Sequence, residues 1–279
     1  MKINNKYSIN EQIGIGSFGF IYRGTNIRTN EKVAIKIEPI KNDTKLLKNE
    51  STIYQYLLNV SGVPTIKWFG RDEINYYMVI NLLGESLQSF VEKRGSIPLK
   101  LTLQIGVQIL FLLKEIHERG LIHRDVKPDN FLFGLDDKKN KLYIIDFGFC
   151  KSFISNEKHI PLKKTKNLIG SINYASVNSH NFIELSRRDD LESLAYILLY
   201  LYFGNLNWNT QIKEDTTLNN IIIKNMKINI INDVIVPKII TEYIKNVRSL
   251  EFEEKPNYAI LIELFKREIH FLEHFLNKY

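Results

Sequence analysis

Apolar and polar residues alternate along the first 80 positions of the chain. This pattern predicts strands separated by glycine or polar turns, as in an antiparallel sheet. The predicted strands are Tyr7–Gly14, Phe18–Thr25, Lys32–Glu38, Thr65–Phe69 and Tyr76–Ile80. Between the third and fourth strands, apolar residues recur at helical spacing, which predicts a helix over Thr44–Asn59. The first part of the chain is therefore expected to form a small β-rich lobe with one helix.

Beyond Gly84 the apolar spacing becomes helical. The predicted helices are Leu99–Glu118, Ser186–Phe203, Pro237–Leu250 and Tyr258–Phe275. The first of these is apolar on almost every side, which indicates a buried helix, and the aromatic stripe Tyr196, Tyr200 and Phe203 is expected to lie in the core. The fold class is therefore α+β. Residues 1–80 are predicted to form the β lobe, 81–84 a hinge, and 85–279 a larger, mainly helical lobe.

The composition narrows the possible classes of protein. The 279 residues are 44% hydrophobic and 25% charged, an ordinary globular mixture that excludes fibrous and largely disordered classes. No apolar run approaches the roughly 18 residues of a membrane span, and no secretory signal is visible. The single cysteine, Cys150, cannot form an internal disulfide, which fits a reducing intracellular compartment. The net charge of +7 suggests an anionic partner without identifying it.

A glycine-rich segment, Gly14-Ile15-Gly16-Ser17-Phe18-Gly19, lies between two predicted strands. Glycines allow backbone N–H groups to approach a phosphate closely. A dinucleotide site would need a helix after the glycines, so the following strand favours a hairpin over phosphates. The motif alone is weak evidence. Its candidate nucleotide-binding residues are Gly14, Gly16, Ser17 and Gly19.

The apolar strand Val33-Ala34-Ile35 ends on Lys36. An isolated lysine at this place is ordinarily a solvated strand end. Behind a glycine loop, however, Lys36 is placed to meet the α- and β-phosphates of a nucleotide. Such a cation needs a carboxylate partner, and Glu50 of the predicted helix is the candidate. The alternative for Glu50 is a solvated charge on the helix surface.

Two later segments carry the main chemical signal. One reads His-Arg-Asp-Val-Lys-Pro-Asp-Asn and supplies a proton acceptor, a phosphate-binding cation and a metal ligand: Asp125, Lys127 and Asn130. The other, an Asp-Phe-Gly triplet, places Asp146 at the end of a predicted strand. Asn130 and Asp146 offer the oxygen ligands that Mg²⁺ prefers, with ATP phosphates completing its shell. The four motifs in this order predict binding of ATP and Mg²⁺.

These motifs resemble those of eukaryotic-type protein kinases. More narrowly, the chain resembles the casein kinase 1 family over essentially its whole length. The segments that carry this narrower resemblance are Val33–Pro39, Gly62–Gly70, His159–Leu168, Tyr174–His180 and Ser186–Trp208. Ser176-Val177-Asn178 stands where most kinases have Ala-Pro-Glu, much as Ser-Ile-Asn does in that family. Vaccinia-related kinases are less similar, because they tend to carry Asp-Tyr-Gly in place of Asp-Phe-Gly.

The resemblance implies a single protein kinase domain over residues 1–279, with the bilobal kinase fold. It also implies transfer of the γ-phosphate of Mg-ATP to Ser or Thr hydroxyls of protein substrates. Asp125 would accept the hydroxyl proton and Lys127 would neutralise the moving phosphoryl group. Lys36 and Glu50 would set the α- and β-phosphates. Two further residues, Arg124 and Asp190, are better assigned to bracing the catalytic loop.

An adenine site also follows from the resemblance. The hinge backbone from Asn81 to Leu83 would contact the base, with Ile80 at the gatekeeper position. An apolar slot would enclose the ring, lined by Ile13, Ile21, Ala34, Leu132 and Ile145.

One position departs from the family pattern. Casein kinase 1 members carry an arginine in the activation segment where this chain has Asn173. A neutral amide cannot supply the cationic fork that favours phosphate. The region after Trp208 also lacks the basic cluster that the family usually has, and Glu214, Asp215, Thr216 and Asn219 occupy it. Lys163, Lys164 and Lys166 lie near Asn173 in the sequence and are expected to compensate in part. We therefore expect a weakened preference for substrates that are already phosphorylated.

Two other functions are alternatives: a catalytically inactive kinase fold that acts as a scaffold, and a small-molecule kinase. The intact Lys36, Asp125, Asn130 and Asp146 argue against the scaffold, and the motif around Ser176–His180 argues for protein substrates. We expect a monomer with no membrane partner and no direct nucleic-acid binding. Its expected location is intracellular, in the cytoplasm and also the nucleus, or in host cytoplasm if the source is viral.

Three weaker features have simpler interpretations. Packing is the expected role of Cys150, because no second cysteine is present. His270 and His274 could bind a metal from one helix face, but a solvated helix end is the better interpretation. The lysines from Lys163 to Lys166 could bind nucleic acid, yet their place in the activation segment favours substrate contact.

Overall fold

A computed structural model describes residues 2–16, 19–40, 46–209 and 216–276. The chain divides into two compact units, each made of two sequence segments. The first unit holds Met1–Glu85 and Leu132–Gly148, and the second holds Ser86–Phe131 and Phe149–Tyr279. The first unit thus includes a segment that follows the predicted hinge in sequence. The lobe limits 1–80, 81–84 and 85–279 stay a prediction.

The described strands, in chain order, are β1 Lys2–Ile3, β2 Tyr7–Gly16, β3 Gly19–Asn26, β4 Lys32–Pro39, β5 Ile66–Arg71, β6 Asn75–Asn81, β7 Leu121–Ile122, β8 Phe131–Phe133, β9 Leu142–Ile144, β10 Lys151–Ser152, β11 Ile154–Ser155 and β12 Lys158–His159. The described helices are α1 Leu46–Tyr56, α2 Leu87–Arg94, α3 Leu99–Glu118, α4 Val177–His180, α5 Arg187–Phe203, α6 Thr216–Asn229, α7 Lys238–Arg248 and α8 Tyr258–Leu276. The α+β class is therefore confirmed.

The first unit is built on an antiparallel sheet in the order β1-β2-β3-β4-β6-β5. Alternate residues of β4 and β6 point to one face, where Val33, Ile35 and Val79 are fully buried with Tyr7. The sheet confirms the predicted strands within one to two residues at each described end. It adds β1, which is too short to leave an alternating pattern.

One helix accompanies this sheet. In α1 the buried residues are Leu47, Glu50, Ser51 and Tyr54, which is the i, i+3, i+4, i+7 spacing of one helix face. Glu50 is thus carried inward on the apolar face. The predicted start at Thr44 lies outside the described residues. The helix ends three residues before the predicted Asn59, which instead adopts a positive φ of 70°.

Backbone hydrogen bonds explain why residues 132–148 belong to the first unit. The Gly84 N–H donates to the Phe133 carbonyl at 2.8 Å, and the Phe133 N–H donates to the Glu85 carbonyl at 2.9 Å. The Ile144 N–H donates to the Gly62 carbonyl at 2.8 Å. Strands β8 and β9 pair with each other. The segment that ends in Asp146 is thereby attached to the rest of its unit.

The second unit is mainly helical and its core surrounds α5. Every residue from Leu191 to Leu201 of this helix is buried, including Tyr196 and Tyr200. These two aromatic residues are core residues, as predicted, and Phe203 is half-buried. Helix α3 packs closely here, because a Cβ at Gly106 would lie 2.9 Å from Leu198 of α5.

Some helical predictions need correction. Helix α3 has the predicted bounds but is not buried on all sides, since Leu101 and Phe111 are exposed. Helices α2, α4 and α6 were not predicted individually. In α6 several asparagines lower the helix propensity and obscure the apolar spacing. Among the described residues, no helix combines the length and apolar character that crossing a bilayer requires.

Candidate active site

Lys36, Glu50 and Asp146 form a charged cluster in the first unit, here called the Lys36 centre. The Lys36 ammonium lies 2.7 Å from Glu50 Oε2 and 3.1 Å from Asp146 Oδ1. Both Lys36 and Glu50 are buried, with 7% and 2% of their surface exposed. The predicted pairing of Lys36 with Glu50 is therefore present, and Glu50 is not a solvated helix charge. Asp146 is a second carboxylate on the same cation.

The charges of this centre depend on one another. Burial alone would lower the pKa of Lys36, but the two carboxylates outweigh it and raise that pKa, so the ammonium stays charged. Burial raises the pKa of Glu50 to about 7, against the lowering effect of Lys36. Lys36 is thus a fixed cation held by two acidic groups.

Local structure fixes Asp146. It follows β9 with a positive φ of 63°, a conformation that asparagine and aspartate tolerate better than most residues. Its N–H donates to the Tyr54 hydroxyl at 3.3 Å, and the Tyr54 ring packs edge-on against Phe147 at 5.0 Å between centroids. The buried face of α1 therefore supports both Glu50 and the Asp-Phe-Gly segment.

The described residues of the glycine-rich segment lie at the end of the paired strands β2 and β3, as the predicted hairpin requires. Gly14 pairs with Ile21, and Gly16 pairs with Gly19. A Cβ at Gly19 would lie 1.9 Å from the Ile37 carbonyl oxygen, so no other residue fits there. A Cβ at Gly16 would lie 3.3 Å from Lys36 Cε, which shows that the hairpin backbone runs close to the lysine side chain. Ser17 lies outside the described residues.

The predicted adenine residues all belong to the first unit: Ile13, Ile21, Ala34, Asn81, Leu83, Leu132 and Ile145. Ala34 on β4 faces Ile80 on β6, and Val33 faces Asn81. The side chain of Asn81 is engaged, because its Oδ1 accepts from the Thr65 N–H at 2.8 Å. The amide oxygen of Asn81 therefore already has a partner within the unit.

A second cluster, here called the Asp125 cluster, comprises Asp125, Lys127, Asn130 and Ser171 in the second unit. Asp125 Oδ2 lies 2.8 Å from the Lys127 ammonium. Asp125 Oδ1 accepts two hydrogen bonds from Ser171, at 2.9 Å from its N–H and 2.8 Å from its hydroxyl. Asn130 Nδ2 donates to the Asp125 carbonyl at 2.8 Å. The carboxylate of Asp125 is therefore held at both oxygens.

The loop that carries Asp125 is braced by Asp190 of α5. This buried carboxylate accepts from the His123 N–H at 2.7 Å and from the Arg124 N–H at 2.8 Å. It also contacts His117 Nε2 at 2.9 Å. Burial would raise the pKa of Asp190, but His117 and the backbone donors lower it below the ordinary value. Asp190 therefore remains an anion that orients backbone amides, which matches its predicted bracing role.

Arg124 contributes to the same loop in a different way. It has a positive φ of 67°, and its Nε donates to the Phe149 carbonyl at 2.6 Å. A Cβ at Gly170 would lie 2.5 Å from the Arg124 carbonyl oxygen, so this glycine lets the activation segment approach the loop. The close approach places the next residue, Ser171, against Asp125.

A sequence model of the family described as "Protein kinase domain" matches residues 7–271 of the chain. The chain belongs to the protein kinase family. Its fold class, with an antiparallel sheet of six strands in one unit and helices in the rest, is that of the family, as predicted. Protein kinases generally use ATP and Mg²⁺ and act on protein substrates.

Six of the predicted site residues of this kinase fall into the two clusters: Lys36, Glu50 and Asp146 in one, and Asp125, Lys127 and Asn130 in the other. Ser171 has a clear structural role that the sequence analysis missed. Its contacts join positions 46 residues apart in the sequence, and no local pattern indicates them. Asp189 was missed for the same reason: its Oδ1 accepts from the hydroxyl of Ser176, the residue that caps the N-terminus of α4, at 2.6 Å.

The residues of the kinase fit Mg²⁺ and ATP in their chemistry. Asn130 donates through its amide nitrogen to the Asp125 carbonyl, so its amide oxygen is oriented as the remaining acceptor. The carboxylate of Asp146 also offers oxygen of the hard type that Mg²⁺ prefers. Lys36 is a permanent cation beside a glycine backbone, which suits nucleotide phosphates. The donor set is therefore compatible with both ligands.

The weaker features of the kinase sequence differ in their exposure. Cys150 is partly buried, and burial raises the pKa of its thiol to about 12, so little thiolate forms at neutral pH. His270 and His274 are exposed with rings 4.2 Å apart, and no cluster of three or more metal-binding side chains occurs among the described residues. Lys163 and Lys164 are exposed on the activation segment.

Proposed function

We propose that this protein kinase is a serine/threonine kinase of the casein kinase 1 type. It transfers the γ-phosphate of Mg-ATP to Ser or Thr hydroxyls of protein substrates. The observation that carries the proposal is the Asp125 cluster, in which a buried carboxylate is held between a lysine and a serine. Such a carboxylate is a proton acceptor of fixed orientation.

The chemistry assigned to this cluster is a direct displacement. Asp125 Oδ2 accepts the proton of the substrate hydroxyl while that oxygen forms a bond to the γ-phosphorus. The bond from the γ-phosphorus to the β–γ bridging oxygen breaks, and ADP leaves. Lys127 neutralises charge on the transferred group. Ser171 keeps Asp125 Oδ1 engaged, so that Oδ2 is the oxygen directed to the substrate.

The Lys36 centre is assigned to the nucleotide. Lys36 binds α- and β-phosphate oxygens, and Glu50 keeps the lysine in place. The backbones of Gly14, Gly16 and Gly19, together with Ser17, cover the phosphates. Asn130 and Asp146 are the proposed Mg²⁺ ligands. When bound, Mg²⁺ would neutralise charge that develops on the phosphate oxygens.

Two sequence features support the casein kinase 1 type. One is the set of segments that resemble this family, above all Tyr174–His180 and Ser186–Trp208. The other is the use of Ser176-Val177-Asn178 in place of Ala-Pro-Glu. Ser176 and Asn178 both hydrogen-bond to Asp189 Oδ1, at 2.6 and 3.0 Å, so this motif has a definite anchor on α5.

The test of activity uses the purified chain with labelled ATP, Mg²⁺ and casein. Asp125→Asn and Asp146→Asn serve as matched controls, because each removes one charge and keeps the side-chain size. We expect transfer by the unaltered chain, recovered on serine and threonine in phosphoamino-acid analysis, and a loss of about 10³-fold or more in each control. Transfer equal to the controls would favour the scaffold, and label on tyrosine would contradict the serine/threonine assignment.

Substrate preference can be tested separately. Asn173 carries no charge, and its Oδ1 is buried without a hydrogen-bond partner among the described residues. We propose that the kinase lacks a strong preference for substrates with a phosphate upstream of the acceptor. Matched peptides with and without that phosphate should differ by less than about tenfold in kcat/KM, and Asn173→Arg should increase the difference. A strong preference in the unaltered chain would contradict this proposal.

A further inference from the structure

Lys227 is a buried lysine that the proposed chemistry does not use. It lies on α6 and none of its surface is exposed. Its ammonium donates to the carbonyls of Ile172 and Ala175, at 2.8 and 2.7 Å, and contacts His180 Nε2 at 3.1 Å. We call Lys227 and the groups around its ammonium the Lys227 centre. Burying an ammonium is costly, so its persistence here indicates a specific set of acceptors.

Hydrogen bonding around His180 decides which group carries the proton. Asn220 Nδ2 donates to the His180 carbonyl at 3.2 Å, which orients its Oδ1 as acceptor for His180 Nδ1. Nδ1 therefore carries hydrogen, and Nε2 of the neutral ring accepts from Lys227. Burial lowers the pKa of His180 to about 4, in agreement with a neutral ring.

The ammonium is therefore fully satisfied in its charged form. Its three N–H groups face three acceptors, and the ring centroids of Tyr196 and Trp208 lie 4.5 and 5.5 Å from Nζ. A neutral amine would turn its lone pair toward an acceptor, which is unfavourable. Burial lowers the pKa of Lys227, but the acceptors and aromatic faces favour the cation. Lys227 can thus hold carbonyl groups by charge-assisted hydrogen bonds.

The carbonyls that it holds belong to a tight turn, residues 171–175. The N–H groups of Tyr174 and Ala175 both donate to the Ser171 carbonyl at 2.8 Å. The Asn173 carbonyl lies between the two carbonyls that Lys227 binds, and it accepts from Trp208 Nε1 at 3.0 Å. Three carbonyls of the turn are therefore fixed by side chains from outside it.

The same turn begins at Ser171, which binds Asp125 and Lys127. Lys127 Nζ donates to the Ser171 hydroxyl at 3.1 Å, and this hydroxyl donates to Asp125 Oδ1. The turn is thus held by the Asp125 cluster on one side and by the Lys227 centre on the other. A displacement at the carbonyls would be passed to Ser171 and so to the carboxylate.

We propose that Lys227 is a positioning residue for phosphate transfer, holding the turn of residues 171–175 so that Ser171 orients Asp125. This inference rests on the proposed function. Lys227 touches neither Asp125 nor Lys127, and it acts through Ser171. The nucleotide residues Lys36 and Glu50 belong to the other unit, so nucleotide binding should not depend on Lys227.

The kinetic test compares Lys227→Met with the unaltered kinase. Methionine has a similar length and no charge, so it fills the space and removes the three hydrogen bonds. We expect kcat/KM for a peptide substrate to fall by about 10- to 100-fold, because small misplacements of a reacting group are costly. The KM for ATP should stay within about twofold of its unaltered value.

Ile244→Val and Ile244→Ala are the matched controls for stability. Ile244 is fully buried on α7, and its truncation lowers stability without removing a polar anchor of the turn. At equal thermal stability, the Ile244 variants should keep their kcat. If Lys227→Met lost no more kcat than an Ile244 variant of equal thermal stability, the loss would be explained by stability alone. That result would overturn the proposal.

Hydrogen exchange tests the same inference without any activity. In Lys227→Met, the amides of Tyr174 and Ala175 should lose protection, while amides in α5 keep theirs. Trp208 gives a second signal, since Trp68→Phe leaves it as the only tryptophan, and its emission should shift in the Lys227→Met variant. Unchanged exchange and emission would contradict the inference. An unaltered chain without phosphate transfer would contradict only the proposed function, and the exchange result would then decide this inference.

Discussion

Each unit buries a lysine, and the two lysines are stabilised in opposite ways. In the Lys36 centre two carboxylates lie within 3.1 Å of the ammonium. In the Lys227 centre the partners are two carbonyls, an imidazole nitrogen and two aromatic faces. The carboxylates raise the pKa of Lys36, whereas burial lowers that of Lys227.

This difference teaches what each lysine is able to do. The Lys36 centre contains two carboxylates and one cation, so a nucleotide phosphate would compete with these carboxylates for the Lys36 ammonium. In the part of the chain that the structure describes, the groups that contact the Lys227 ammonium are two carbonyls, an imidazole and two aromatic rings. Because two of these groups are backbone carbonyls, Lys227 fixes backbone. The first arrangement suits ligand binding, and the second suits the shaping of a loop.

The largest expected effect is that of Lys36→Met. Removing the cation leaves two buried carboxylates side by side. Loss of one partner of a buried ion pair destabilises a protein by about 3 kcal/mol or more. Phosphate transfer should fall by about 10³-fold, since the phosphates lose their cation. Urea unfolding at pH 7 and transfer to casein measure the two effects.

The double variant Lys36→Met/Glu50→Gln provides the control. Replacing one carboxylate by an amide should recover part of the free energy of unfolding without recovering transfer. A double variant that is no more stable than the single one would contradict the view that acid repulsion dominates this centre.

The next effect concerns the Lys227 centre at acid pH. The folded pKa of His180 is about 4 against an ordinary 6.5, because of burial and the nearby Lys227 and Lys224. Between these values the unfolded chain binds a proton here that the folded chain does not, so the free energy of unfolding rises with pH. The full difference for this group corresponds to about 3 kcal/mol.

Urea unfolding between pH 4 and 7 measures this dependence. His180→Gln keeps an acceptor for Lys227 and removes the titration, so its stability should depend less steeply on pH. Asp189, whose pKa burial raises to about 6, acts in the opposite direction and is present in both proteins. If the free energy of unfolding changed equally with pH in the unaltered chain and in His180→Gln, His180 would not be the source of the pH dependence.

A smaller effect is expected for Tyr54→Phe in the first unit. The change removes a hydroxyl that accepts from the Asp146 N–H and keeps the ring contact with Phe147. The free energy of unfolding should fall by about 1 kcal/mol, as for one ordinary hydrogen bond. Thermal unfolding would show it, and a loss as large as that of Lys36→Met would mean that the hydroxyl, not the ion pair, organises the centre.

The smallest effect should come from an exposed pair. Arg23 and Glu11 lie on neighbouring strands of the same sheet with both side chains about half exposed. Glu11→Gln should change the free energy of unfolding by less than about 1 kcal/mol, and the difference should shrink further in salt. If Glu11→Gln lowered the free energy of unfolding as much as Lys36→Met, burial would not explain why the Lys36 ion pairs contribute more to stability.

The Lys36 centre was largely predictable from the sequence, and the Lys227 centre was not. Lys36 ends an apolar strand and Glu50 falls on the apolar face of a helix, so local periodicity brought both to attention. Lys227 follows a stretch rich in asparagine, and its acceptors are backbone carbonyls about 50 residues earlier in the chain. Backbone acceptors have no sequence signature, which is also why the contacts of Ser171 were missed.

In the fold, too, elements with a strong local pattern were predictable and elements without one were not. Strands β2 to β6 and helices α3, α5, α7 and α8 have strong periodic patterns, and the structure places them within a few residues of the predicted bounds. Short elements such as β1 and α4 form because neighbours supply their hydrogen bonds. Their own sequences contain too few turns or alternations to indicate them.

The partly buried thiol of Cys150 makes this chain convenient for optical measurement. It is the only cysteine, and its high pKa keeps it slow toward maleimide dyes at neutral pH. Cysteines introduced at Ile74 in the first unit and Val234 in the second, which are 67% and 97% exposed, would react far sooner. A donor and an acceptor dye at these two positions would report the distance between the units by energy transfer, with the native thiol left in place.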